Sequence, residues 1–119
     1  QLGIVAEAQR QWPQAEQYYQ QALAIYIEFN DRYQQAGTYH QLGTVAEEQQ
    51  QHGPARVAFQ KALAIFVEHD DRESTRVVLS SLARLWRVTE DAQIPVQVAA
   101  ALGCTHEEAE DLLHRLQSD

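Results

Sequence analysis

The stretch Ala15–Arg32, AEQYYQQALAIYIEFNDR, decides the fold, because it returns forty residues later as Ala55–Arg72, ARVAFQKALAIFVEHDDR. In the first copy Ala15, Tyr18, Tyr19, Ala22, Leu23, Tyr26 and Ile27 recur at three- and four-residue steps, the mark of one apolar helix face. The second copy keeps that face with Ala55, Ala58, Phe59, Ala62, Leu63, Phe66 and Val67. Small alanines alternate with bulky aromatic and aliphatic residues. That suits close packing, since an alanine on one helix admits a ridge from its neighbour.

Working outward, residues 1–32 align with 41–72 at 17 identical positions of 32. Chance does not give this, and a fixed period of roughly 20–50 residues is the signature of a solenoid. Each unit reads as two helices. In the second unit, helix A is expected over Arg32–Gln51, with Asp31 as N-cap and Gln34 three residues on. His52-Gly53-Pro54 is expected to end it, Gly53 taking the left-handed C-terminal conformation and Pro54 opening the next helix. Trp12-Pro13 stands at the same point of the first unit. Helix B then runs to about Glu68, and Asp70-Asp71 cap a third helix A with Val78, Leu79, Leu82, Leu85, Trp86 and Val88 on its apolar face.

Beyond Trp86 the period breaks, because Pro95, Ala99 and Leu102 align poorly with Ala55, Phe59 and Ala62. Pro95 is expected to open a short helix to Leu102, which Gly103 closes. Thr105 with Glu108 forms a capping box for a last helix to about Gln117, with Ala109, Leu112, Leu113 and Leu116 on its apolar face. An atypical final unit is what a solenoid needs, since an ordinary repeat would leave its apolar face in water. The expected organisation is an array over 1–90 (units 1–32, 33–72 and a partial 73–90) and a C-terminal helix-pair cap over 91–119.

A chain of 119 residues, 45% of them hydrophobic, suits one modest core. No apolar run approaches the ~20 residues of a membrane span, and no signal-peptide pattern is present, so no membrane partner is expected. There is no initiator Met, and Gln1-Leu2-Gly3 aligns with the interior of a later helix, so a piece of a longer protein is expected. The single Cys104 excludes an internal disulfide and fits a reducing, cytoplasmic location. A net charge of -8, with Lys61 the one lysine, counts against nucleic acid and anionic membranes as partners.

The C-terminal segment has the outline of a helix-turn-helix, with Ala99, Gly103 and Ala109 near that spacing. Its would-be recognition helix carries Glu107, Glu108, Glu110 and Asp111 against Arg115 alone, which would repel phosphates. His106, Glu110 and His114 share a face near Cys104, but three such residues span two turns, ~12 Å, too far for one zinc ion. His106-Glu107 begins like a metalloprotease motif, yet Glu110 replaces the second histidine. Glu68-His69-Asp70-Asp71 lacks the spaced oxygens and turn glycine of a calcium loop. With no nucleophile–base pattern and no Gly-rich phosphate loop, neither an enzyme nor a cofactor is expected.

Leu2-Gly3, Ala6, Ala15, Tyr19 and Ala22, and again Tyr39, Leu42-Gly43, Ala46, Ala55, Phe59 and Ala62, resemble the tetratricopeptide-repeat signature. The period is 40 rather than about 34, and Ile27 and Val67 replace the usual closing proline. The longer form is similar to the kinesin-light-chain type and to repeat arrays of bacterial STAND-type signalling ATPases. The resemblance implies an all-α fold of about two and a half antiparallel helix pairs in a right-handed superhelix, closed by the C-terminal helices. It also implies that the A helices line a concave groove, whose positions map to Ile4, Glu7, His40, Thr44, Glu47, Glu48, Ser80, Arg84 and Arg87. That patch is acidic on the second unit and basic on the third. Chaperone-binding relatives hold a C-terminal carboxylate with several Lys and Asn residues, whereas here only Arg84 and Arg87 are of that kind.

The function so implied is a non-enzymatic module that binds a peptide or partner helix in the groove. Two alternatives follow: a sensor or oligomerisation arm of a signalling ATPase, and a nucleic-acid-binding regulator acting through the C-terminal helix pair. An exposed face of the first repeat would also permit self-association.

Overall fold

The computed structural model describes residues 11–117, and every regular element among them is a helix. The helices are α1 (Trp12–Glu28), α2 (Arg32–Glu48), α3 (His52–Glu68), α4 (Arg72–Thr89), α5 (Gln93–Leu102) and α6 (His106–Gln117). The repeated stretch is α1 and, forty residues on, α3. Pro13 and Pro54 sit in the first turns of these helices, where a missing N–H removes no helical bond.

The chain turns by one device, used every twenty residues. Asn30, Gln50, Asp70 and Glu90 all take positive φ, between 54° and 61°. At the first three, two backbone bonds close the helix in a Schellman motif: Asn30 N–H to Ile27 O with Asp31 N–H to Tyr26 O, then Gln50 to Glu47 with Gln51 to Ala46, then Asp70 to Val67 with Asp71 to Phe66. This corrects the expectation for the second unit. Helix A stops at Glu48, not Gln51, and Gln50 is the left-handed residue. Gly53 lies inside the first turn of α3, because the backbone bonds from Gln50 and Gln51 have already ended α2. A non-glycine in this conformation carries a penalty of roughly 1–2 kcal/mol. Gln50→Gly is therefore expected to stabilise the chain by about 1 kcal/mol, read as a higher urea midpoint at unchanged slope.

The caps follow the sequence. Asp31 accepts from Gln34 N–H at 3.2 Å and Asp71 from Ser74 N–H at 3.0 Å. Thr105 and Glu108 exchange both bonds of the capping box, at 2.9 and 3.1 Å, which holds the Glu108 carboxyl below the usual carboxylate range. Gly103 closes α5 at φ 69°. The short helix opens at Gln93, two residues before Pro95, with Gln93 N–H bonded to the Asp91 carboxylate at 2.9 Å.

One core runs through α2 to α6. Its largest fully buried side chains include Phe59, Leu63, Leu82, Leu85, Ile94 and Leu113. A smaller cluster joins Ala15 and Tyr19 of α1 to Val45 of α2. The helix pair α2–α3 packs most extensively, and Gly43 sets how close it comes. A Cβ there would lie 2.6 Å from Cδ1 and Cε1 of Phe59. Two expected face residues fall outside the core: Ile27 is 53% exposed and Val88 60% exposed.

Candidate interaction surface

The residues expected to line a groove come from α2 and α4, except Ile4 and Glu7, which lie outside the described residues. The structure pairs most of them with one another. Arg84 donates to Glu47 through Nε at 3.0 Å and Nη2 at 2.6 Å, a bidentate bridge between α2 and α4. The bridge raises the affinity of the Arg84 guanidinium for its proton, the Glu47 hydrogen bond being the main cause. His40 Nε2 lies 3.1 Å from Ser81 Oγ, and its ring is 5.5 Å from that of Phe59. The Ser81 hydroxyl also lies 3.4 Å from Val77 O, so it is held between the two. Thr44 donates to His40 O at 3.1 Å. Glu48 and Arg87 remain exposed, and Ser80 is half-buried.

The acidic second unit and the basic third unit thus neutralise each other in part. Glu47 and Arg84 hold adjacent helices together before either can meet a ligand. The signal was present in the sequence: opposite charges 37 residues apart in a 40-residue repeat sit one helical turn from equivalence on neighbouring A helices.

Burial, followed by the Arg84 charge, pushes the His40 imidazole below its ordinary range. The folded state therefore binds its proton less readily than the unfolded chain. The His40 contribution to stability is complete above the unfolded value of about 6.5 and declines as pH falls below it. Urea unfolding is expected to show a loss of stability between about pH 7.5 and 5.5 that is smaller in His40→Gln. An equal loss in both proteins would remove this role for His40.

Between α2 and α4 lies a recess of about 280 Å³ lined by Gly37, His40, Gln41, Phe66, Val77 and Val78. Glu73 and Ser74 complete its rim. Nothing lies within 4 Å of where a Gly37 Cβ would stand, and Val77 is 49% exposed. Neither residue was expected at a site. The available signal was Gly37 itself, since glycine inside a helix is unfavourable by about 1 kcal/mol relative to alanine. Above the recess Tyr33 packs edge-on to Phe66, with ring centroids 5.7 Å apart, and donates its hydroxyl to the Asp71 carboxylate. That bond raises the Tyr33 hydroxyl above its ordinary range and lowers the Asp71 carboxyl. A second cavity, of about 360 Å³, gathers Ser80, Arg84 and Arg87 with Leu116 and Gln117 of α6.

The C-terminal histidines are placed apart. His106 meets Glu110 at 3.3 Å, while the His114 ring lies 4.8 Å from that of Trp86. Among the described residues no three His, Cys, Asp or Glu side chains come together as metal ligands would. None of the described helices is long and apolar enough to cross a membrane.

The family model described as tetratricopeptide repeat matches residues 1–68, more than half of the chain. No curated protein and no solved structure matches the chain at significance.

Proposed function

Because the chain belongs to the tetratricopeptide-repeat family, whose members are generally non-catalytic protein-interaction repeats, we propose that it is a module that holds a segment of a partner protein against α2 and α4. What carries this reading is the recess at Gly37 and Val77, where Phe66, Val77 and Val78 stand beside His40, Gln41, Glu73 and Ser74, on helices whose opposite faces are locked in the core. It suits one small apolar side chain of an extended or helical segment, with Gln41, Glu73 and Ser74 around it to orient the backbone. The helices come pre-packed, so little ordering opposes binding. We read α2 and α4 as lining the concave side of a right-handed superhelix, with α5 and α6 as its C-terminal cap. With Arg84 committed to Glu47, a clamp for a terminal carboxylate is not supported.

The test is selection of binders from a displayed peptide library by the wild-type chain. Gly37→Leu, which fills the recess, and Val77→Asp are expected to weaken the selected peptides by more than about tenfold while leaving thermal unfolding close to wild type. Peptides that bind both variants as well as wild type would place the site elsewhere.

A further inference from the structure

The stretch that decides the fold occurs twice, and only one copy is covered at its end. In the second copy Ile65 and Phe66 are 3% and 6% exposed and share a core cluster with Ala36 of α2. The start of α2 lies on this end of α3. Tyr33 packs against Phe66 and His69, with ring centroids 5.7 and 5.4 Å away, and Arg32 Nε reaches Glu68 at 2.6 Å. The Tyr33 hydroxyl donates to Oδ2 of Asp71, whose Oδ1 caps α4 through Ser74 N–H.

The first copy presents the same groups. Ile25, Tyr26, Glu28, Phe29 and Asp31 stand where Ile65, Phe66, Glu68, His69 and Asp71 stand. Here the apolar ones are bare, Ile25 being 51% exposed and Phe29 75%. Among the described residues Glu28 makes no ion pair, and Asp31 engages Oδ1 alone, to cap α2 through Gln34 N–H. The two stretches thus carry one surface, occupied on α3 and open on α1. The occupied copy shows the chemistry that fits it. An aromatic edge takes a tyrosine ring, one carboxylate takes a guanidinium, and the free oxygen of a capping aspartate takes a hydroxyl.

We propose that the exposed end of α1 docks the first turns of a helix from a partner protein. That helix opens with Arg-Tyr and has a small residue three positions after the tyrosine, as α2 has Arg32, Tyr33 and Ala36. Its tyrosine ring packs on Tyr26 and Phe29, and its hydroxyl donates to Asp31 Oδ2. Its arginine pairs with Glu28. The small residue lets the helix approach closely enough to cover Ile25, as the fully buried Ala36 does within the core. The site lies on α1 and is separate from the recess between α2 and α4.

The probe is a labelled, acetylated and amidated peptide that reproduces residues 31–44, stapled into a helix. Anisotropy is expected to show saturable binding, with amide chemical shifts moving at Ile25, Ile27 and Phe29. Tyr33→Ala in the peptide should weaken binding by more than about tenfold. Glu28→Arg in the protein should weaken it by about threefold, and Arg32→Glu in the peptide should restore binding to that variant. Val77→Asp in the protein should change nothing, which separates this site from the recess. The proposal fails if the peptide does not bind by about millimolar concentration, or if the charge exchange does not restore binding. It fails equally if the shifts fall at Phe66 and His69, where the peptide would have displaced α2 itself. A concentration-dependent dimer that Phe29→Asp abolishes would assign the face to a second copy and also overturn it.

Discussion

Phe59→Ala is expected to destabilise the chain by about 3–5 kcal/mol, a large share of the roughly 5–15 kcal/mol that holds a domain of this kind together. The ring is fully buried in α3, faces the backbone of α2 at Gly43 and lies beside His40. Truncation leaves a cavity between the two most extensively packed helices, and neither can close it without shifting the Glu47–Arg84 bridge that α2 makes to α4. Gly43→Ala attacks the same contact from the other side. Its Cβ would stand 2.6 Å from the ring, with about 1–3 kcal/mol expected from overpacking. The two should be strongly non-additive, because the smaller side chain at 59 makes room for the methyl at 43. Chemical unfolding of the four proteins of this cycle gives the answer. Additive effects would mean that the two residues do not share a contact.

The second large effect is expected from removing residues 91–119. Ile94, Val98, Ala109 and Leu113 are fully buried against the same core as Leu82 and Leu85, with Trp86 partly covered. Their loss would bare a contiguous apolar face of α4 and break the Arg56–Asp91 pair and the Gln117 bond to Ala83 O. Exposure on that scale drives association, so the truncated chain is expected to aggregate or to unfold at much lower urea. Leu113→Ala, at about 2–5 kcal/mol, is the milder form of the same test. A truncated chain that stays soluble and as stable as the whole one would end the reading of α5 and α6 as a cap.

How much of this could be read in advance depends on the range of the interaction. The capping bonds of Asp31, Asp71 and Thr105 join residues three apart, and the apolar faces of α1, α3 and α6 follow helical periodicity. Both are local, and both were legible. Gly53 misled because glycine fits a helix stop, whereas the turn is made by the backbone N–H groups of Gln50 and Gln51, with the non-glycine Gln50 in the left-handed conformation. The groove positions were legible as positions but not as free side chains. Whether Arg84 meets solvent or Glu47 depends on how far α4 slides along α2, and periodicity does not encode that.

Residue order alone is enough for a repeated helical protein, with its period, its N-caps, the break after Trp86 and its place in the tetratricopeptide-repeat family. Those features arise from contacts within a turn or from exact recurrence. The packing of the helices settled which polar residues are spent between them and that Gly37 and Val77 line a recess. These depend on the register of helices some forty residues apart, where a shift of one turn exchanges a buried partner for an exposed one.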